Sequence, residues 1–309
     1  MFGTILTAKY CCRITSTSLS LAIVNAKGAN YPISLEFLDL HYSLHTMSKR
    51  SSKRDNDVIT PDRYIAIGNR QSQSGNYPSA LVAYDLAVKL DPRYAKAYNY
   101  RGSFKYAYLG DIQGAIADFD SAIDYDPDYA VAYANRGLLR YQQLGDIPGA
   151  LADLNVAILL NPHDASVYTT RGLIKYGELG DIEYALADYD LAICIDPTFA
   201  AAYNCRGLLK NVKLMDIAGA LADYDRAIVL APHLAEAFYN RGTLKHKELS
   251  DSVGALADYN KAILLAPRLA AAYLVRGLLK RDKLDDLLGA SRDFMRARDL
   301  APQIAADLG

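Results

Sequence analysis

The sequence predicts an all-α protein built from seven similar helix pairs, and three regular spacings predict it. Prolines recur every 35 residues, at positions 92, 127, 162, 197, 232, 267 and 302. Alanines recur in phase with them, at 80, 115, 150, 185, 220, 255 and 290, and a large ring or leucine follows each after four residues. Glycines at 68, 102, 137, 172, 207, 242 and 277 each follow an aromatic residue by four positions. Each copy therefore reads as two helices joined by a turn.

The second copy shows how each element is justified. Its first helix is predicted over about 95–108 and its second over about 112–125, with Leu109, Gly110 and Asp111 between them. Gly110 suits a left-handed cap that ends the first helix, and Asp111 suits the N-cap of the second. The second helix should end before Pro127, because proline disfavours helix at the preceding residue.

Of the two turn residues, the N-cap residue recurs in every copy, whereas the glycine does not. The N-cap aspartate recurs at 146, 181, 216, 251 and 286, and Asn76 takes that position in the first copy. The glycine is replaced by Met215, Ser250 and Asp285 in the later copies, so we expect those three turns to have a different shape.

This aromatic-x3-Gly, Ala-x3-aromatic, Pro frame resembles the tetratricopeptide repeat over roughly residues 61–304. Two departures are clear. Arginine replaces the signature leucine before the glycine in six copies, and the extra residue of their 35-residue period lies before the turn. The resemblance implies a right-handed superhelical α-solenoid whose concave groove, lined mainly by the first helices, binds a peptide or a partner helix.

The six arginines need partners because they stand next to packed leucines. An aspartate is expected at nearly the same height on the facing helix, and the first copy lacks both charges, with Ile67 and Ala83 in their places. We interpret them as structural ion pairs, and an arginine ladder that binds an anion or a phosphopeptide is the alternative. The predicted pairs are Arg101 with Asp118, Arg136 with Asp153, Arg171 with Asp188, Arg206 with Asp223, Arg241 with Asp258, and Arg276 with Asp293.

The resemblance also implies which side chains line the groove. Rings and leucines would supply contact area there, and amides would hydrogen-bond an extended backbone. The positions are Asn69, Asn99, Ser103, Tyr106, Leu138, Tyr141, Thr169, Leu173, Tyr176, Asn204, Leu208, Tyr239 and Thr243. A carboxylate clamp of the kind that holds acidic chaperone tails is not expected, because only Asn69 fits its pattern.

The array is expected to occupy residues 61–309, with the seventh copy as a polar cap. Ser291 and Arg298 stand there where the other copies carry apolar residues. Residues 1–60 are expected to be a disordered leader, with Met47 as a candidate start. An organelle transit peptide in residues 1–46 is the alternative, because residues 1–35 contain no acidic residue.

Composition narrows the functional class. The chain has 34 basic and 35 acidic residues, and this balance is unlike the basic excess of a nucleic-acid-binding protein. It also has no apolar run long enough for a membrane span. Four cysteines form no disulfide framework, so a cytoplasmic location is expected, and Cys194 and Cys205 are expected to be small core residues. No enzyme motif stands out, and we expect no cofactor and no metal site.

The sequence therefore predicts a non-catalytic scaffold that binds a protein or peptide partner. Three alternatives stay open: an accessory subunit, a structural protein that self-associates weakly through the ends of the array, and an organelle-targeted assembly factor.

Overall fold

A computed structural model describes residues 59–302 of the chain, and these residues form fourteen α-helices, three short π-helical segments and no strand. The expected leader, including Met47 and the proposed transit peptide, lies outside the described residues. The first helices of the seven repeats are α1 Pro61–Gln73, α3 Ala95–Phe104, α5 Ala130–Leu139, α7 Ala165–Gly177, α9 Ala200–Leu209, α11 Ala235–Lys247 and α13 Ala270–Lys283. The second helices are α2 Tyr77–Leu90, α4 Ile112–Tyr125, α6 Ile147–Leu160, α8 Ile182–Ile195, α10 Ile217–Leu230, α12 Ser252–Leu265 and α14 Leu287–Leu300. The all-α repeat fold predicted from the sequence is confirmed.

The described helices belong to two compact units, of which the first ends at Val167 and the second begins at Tyr168. In the first unit, α1 packs on α2, α3 on α4, and α5 on α6. In the second unit, α9 packs on α10, α11 on α12, and α13 on α14. Within each unit a second helix also packs on the first helix of the next repeat, as α2 does on α3 and α10 on α11.

The extra residue of the 35-residue repeats widens the last turn of the first helix. Lys105–Leu109, Arg140–Leu144 and Lys210–Leu214 are π-helical. The N–H of Asp111 donates to the carbonyl of Lys105, six residues back, whereas in the shorter first repeat the N–H of Asn76 reaches Gln71, five back. A one-residue insertion within a helix is commonly absorbed as a π-bulge. The insertion therefore stays local, and the frame of the next helix is kept.

The predicted caps are present. Gly110 is left-handed at φ 65°, and the Asp111 side chain accepts a hydrogen bond from the N–H of Gly114 at 2.9 Å. The expectation that Met215, Ser250 and Asp285 shape their turns differently is wrong, because their φ angles of 53–54° place them in the same left-handed region. The wide turn requires that conformation whatever the side chain, so these three residues adopt it under strain.

The interior of each repeat is built from small residues and rings. Ala115, Ala185 and Ala220 have no exposed surface, and Tyr189, Tyr224 and Tyr259 are among the largest fully buried side chains. A Cβ built on Gly242 would stand only 2.9 Å from the ring of Tyr259, so glycine is needed where the two helices of the sixth repeat approach. This packing fixes the distance across which charged side chains can meet.

Candidate functional site

Only part of the predicted groove set is accessible. Asn69, Ser103, Tyr106 and Leu138 are partly exposed on the first helices. The other nine are at most 9 % exposed, namely Asn99, Tyr141, Thr169, Leu173, Tyr176, Asn204, Leu208, Tyr239 and Thr243. The expectation that these positions are exposed is therefore wrong for those nine. Neighbouring first helices pack on each other, as α3 does on α5, and that packing covers side chains that helical periodicity alone would leave on the surface.

We call the accessible remainder the first-helix face. In the first unit it comprises Asn69, Ser103, Tyr106 and Leu138, which are partly exposed. In the second unit, three of the equivalent positions of the repeat are also partly exposed, namely Asn211, His246 and Leu278. The face thus mixes apolar and polar side chains in each unit.

Asparagines join consecutive first helices beneath this face. Nδ2 of Asn135 donates to Oδ1 of Asn99 at 2.8 Å, and Nδ2 of Asn240 donates to Oδ1 of Asn204 at 3.0 Å. All four side chains are buried, so each bond replaces water that the amides would otherwise need. These amides therefore connect repeats, where the sequence suggested that Asn99 and Asn204 would serve a bound backbone.

A second polar contact lies closer to the surface. The hydroxyl of Tyr106 donates to Oε1 of Gln142 at 2.8 Å and accepts from Nε2 of Gln143 at 3.2 Å. Burial raises the pKa of Tyr106 to about 12, so the hydroxyl keeps its proton at neutral pH. The contact holds the ends of α3 and α5 together and leaves the partly exposed amides of both glutamines at the surface.

The structure brings each of the six arginines together with its aspartate. In the third repeat, Nε and Nη2 of Arg136 donate to the two carboxylate oxygens of Asp153 at 2.9 and 2.7 Å. The same two bonds recur in the other five pairs, with Nη2–Oδ1 distances of 2.5–2.6 Å. Each aspartate is buried and each pair is bidentate, the geometry in which arginine and carboxylate interact most strongly.

Each pair also has two further kinds of partner that the sequence analysis did not predict. Nη1 of Arg136 donates to Asp120 of the preceding repeat at 2.6 Å, and Arg101, Arg206 and Arg241 bind Asp85, Asp190 and Asp225 likewise. A second cation four residues after the arginine also binds the buried aspartate, as Arg140 binds Asp153 at 2.8 Å. The signal was present as acidic residues at a 35-residue step, but only helix stacking shows that they face the arginine.

These contacts leave the arginines few hydrogen-bond donors with which to bind a ligand. The hydrogen bonds to Asp223 raise the pKa of Arg206, against the effect of burial, so the group stays charged. Its guanidinium also lies 5.6 Å from the ring centroid of Tyr203, and such a ring contact recurs beneath all six arginines. The arrangement favours a structural role over the anion-binding ladder.

The remaining candidate groups are simpler. Cys194 is exposed, so the expectation of a core position is wrong for it, whereas Cys205 is partly buried against Tyr176 and Leu208. Within residues 59–302 no group of three or more histidine, cysteine or acidic residues could hold a metal ion. No helix in that part of the chain is both long and apolar enough to cross a membrane.

Comparison with known proteins places this geometry in context. A family model described as "TPR repeat" matches residues 105–143, which run from the end of α3 into the wide turn after α5. A comparison with curated proteins found no match.

Solved structures share the fold over most of the chain. A tetratricopeptide repeat protein from Parabacteroides merdae is 20 % identical, with a TM-score of 0.61, and the match covers 80 % of this chain and 96 % of that one. In the APC/C hetero-tetramer Cut9–Hcn1, a chain 18 % identical to this one has a TM-score of 0.66, and the match covers 81 % of this chain and 52 % of that one. PilW, a type IV pilus biogenesis factor, is 20 % identical, with a TM-score of 0.57 and coverage of 67 % and 94 %.

Proposed function

We propose that this chain, whose stacked helix pairs share the fold of tetratricopeptide repeat proteins, is a non-catalytic scaffold that binds a protein partner along the first-helix face. Stacked helical repeats offer long, continuous surfaces and few enclosed cavities, which suits an extended peptide or a helix better than a small molecule. The partner would contact the partly exposed side chains, while the buried asparagines and arginines hold the repeats in register.

The observation that carries this proposal is the pre-organised polar contact between Tyr106 and Gln142 on that face. Their hydrogen bond fixes two side chains from successive repeats before any partner arrives, and Ser103 and Leu138 lie partly exposed on the same two first helices. A surface whose side chains are already ordered loses less entropy on binding. Mixed apolar and hydrogen-bonding groups also match the anatomy of a protein interface.

A capture experiment with the full chain as bait tests the proposal. Leu138→Glu places a charge on the first-helix face, and Leu159→Glu places the same charge on the second helix α6, where Leu159 is 81 % exposed. We expect partners bound by the wild type to be lost with Leu138→Glu and kept with Leu159→Glu, at equal helicity by circular dichroism. Loss with Leu159→Glu alone would place binding on the other face and refute the proposal.

Self-association is a second candidate, and the exposed apolar side chains of α14 favour it. On α14, Leu287 and Leu288 are 63 % and 66 % exposed, and Met295 is 47 % exposed. Apolar side chains exposed together on one helix are a natural contact for a second copy. Light scattering across a concentration series should show growth in mass that Leu288→Glu abolishes, and a constant monomer mass would dismiss this candidate.

A further inference from the structure

The last three second helices expose cations that the repeat does not require. Six residues before the repeat proline stand Arg226 on α10, Lys261 on α12 and Arg296 on α14, and all three are exposed. In the first four repeats the same position is occupied by Leu86, Ser121, Val156 and Leu191. Helix packing therefore does not select a cation at this position, and its recurrence in three successive repeats calls for another reason.

Further exposed side chains extend this row of cations into a surface. Arg292 adds a fourth cation one helical turn before Arg296 on α14. Three exposed apolar side chains stand three or four residues from a cation, which is the spacing that brings two side chains to one side of a helix, namely Val229, Leu264 and Leu288. We call these four cations and three apolar residues the basic outer face.

The buried carboxylates on these helices are already bound by other cations. Asp258 lies three residues before Lys261, but Arg241 and Lys245 bind it at 2.6 and 2.9 Å. The equivalent aspartates of α10 and α14 are each bound by two cations in the same way. Within residues 59–302 none of the four cations of the basic outer face forms an ion pair. Asp299, at the end of α14, is also exposed and unpaired, and these four cations outnumber it.

The contact between the sixth and seventh repeats adds to this positive charge. Nη1 of Arg276 donates to the neutral Asn260 at 2.7 Å, whereas Nη1 of Arg241 binds the carboxylate of Asp225 in the equivalent contact. Asn260 stands next to Lys261 on α12, so the carboxylate present in the preceding repeat is missing beside that cation. The basic outer face therefore has an excess of positive charge with which to attract an acidic surface.

The first unit carries an acidic segment of complementary chemistry. Residues 124–128, which we call the acidic turn, read Asp-Tyr-Asp-Pro-Asp, and all five are exposed. None of the three aspartates forms an ion pair within the described part of the chain, although Arg93 lines a cleft beside Asp126. Oδ1 of Asp126 accepts a hydrogen bond from the N–H of Asp128 at 3.2 Å, and Oδ2 stays available. Carboxylates here alternate with a ring and a proline, as cations alternate with apolar side chains on the basic outer face.

We propose that the basic outer face of one copy binds the acidic turn of a second copy of this chain. The inference rests on the self-association put forward under the proposed function, and it adds the second surface and the charges that join the two. Because the two surfaces differ, the contact is head-to-tail, so each assembled pair keeps one free surface of each kind and can grow past a dimer. Opposite charges set the orientation of the copies, and the apolar residues between them add contact area.

Charge exchange between the two surfaces tests the proposal, with light scattering of the full chain across a concentration series. One variant reverses the face by Arg226→Glu, Lys261→Glu and Arg296→Glu, and the other reverses the turn by Asp124→Lys and Asp128→Lys. Each variant alone should associate at least about tenfold more weakly than the wild type, because like charges then meet. An equimolar mixture should recover association to within about threefold of the wild type, since the reversed face fits the reversed turn.

The matched control reverses three exposed cations of first helices, by Arg70→Glu, Lys247→Glu and Lys283→Glu, and should associate as the wild type does. Circular dichroism shows whether every variant is folded. Variants that associate as the wild type does, or a mixture that stays monomeric, would overturn this inference and leave self-association through the apolar residues of α14 standing. A wild type that stays monomeric at every concentration would overturn both. A monomer whose basic outer face binds phosphatidylserine vesicles would assign that face to a membrane surface and overturn the inference as well.

Discussion

The guanidinium of Arg136 donates two hydrogen bonds, of 2.9 and 2.7 Å, to Asp153 and a third, of 2.6 Å, to Asp120 of the preceding repeat. One side chain thereby links the two helices of its own repeat and the repeat before it. Asp153 is 5 % exposed in its side chain and Asp120 is 47 % exposed, so the two bonds differ in their surroundings although they share one donor. Mutating the two aspartates separately therefore compares a buried and an exposed partner of the same arginine.

The buried carboxylate should matter far more than the exposed one. Asp153→Asn should lower the free energy of unfolding by about 3 kcal/mol, because Arg136 and Arg140 then face each other without a buried counter-charge. Asp120→Asn should lower it by less than about 1 kcal/mol, since water screens that pair. Urea denaturation followed by circular dichroism measures both. Equal losses in the two variants would contradict the assignment of Asp153 as the structural partner.

The left-handed turns without glycine should be open to improvement. Met215→Gly should raise the free energy of unfolding by about 1 kcal/mol, because glycine adopts a positive φ without strain. Gly110→Ala is the reverse change at the equivalent turn. It should cost about 1 kcal/mol, since its new Cβ would meet no atom within 4 Å and only the backbone term remains. Thermal unfolding checks both, and a stabilising Gly110→Ala would show that the turn does not constrain φ.

Replacing glycine by alanine should have different effects on stability at two positions, because only one of them lies where two helices are in close contact. Gly242→Ala should destabilise the protein by about 1–3 kcal/mol, because the new methyl group would stand 2.9 Å from the buried ring of Tyr259. Gly177→Ala, at the end of α7, would meet nothing within 4 Å and should be neutral or stabilising by up to about 1 kcal/mol. Denaturant midpoints measured side by side decide the matter. A tolerated Gly242→Ala would mean that the two helices can separate without loss.

Glu236 predicts a pH dependence of folding. Its pKa in the folded chain lies above the ordinary 4.5, so the folded chain holds a proton that the unfolded chain releases as pH rises through 4.5. Stability should therefore fall above that pH because of Glu236. Glu236→Gln cannot ionise, so its stability advantage over the wild type should be absent at low pH and grow as the pH rises above 4.5.

The matched control for that experiment is Glu183→Gln, in the first turn of α8. Glu183 is equally close to a helix start but exposed, so removing its charge should leave the pH profile of unfolding nearly unchanged. Parallel profiles for Glu236→Gln and the wild type between pH 3 and 7 would show that the carboxyl of Glu236 is not buried enough to affect folding.

The elements that depend on local chemistry could be predicted from the sequence. The second helix of the second repeat was expected over about 112–125 and is observed at Ile112–Tyr125, because an aspartate cap and a following proline set its ends. The pairing of Arg101 with Asp118 also followed from position, since a short turn fixes the relative height of two neighbouring helices.

Features that depend on contact with the next repeat could not be predicted without the packed structure. Tyr141 and Tyr176 were expected in the groove, yet they are buried, because helical periodicity tells which way a side chain points and not what covers it. The bond from Arg136 to Asp120 arises in the same way, because stacking brings together residues of two repeats that lie 16 positions apart in sequence. Local rules act over one or two turns, whereas burial and charge neutralisation are set by every element within a few ångströms, so these features needed the packed structure.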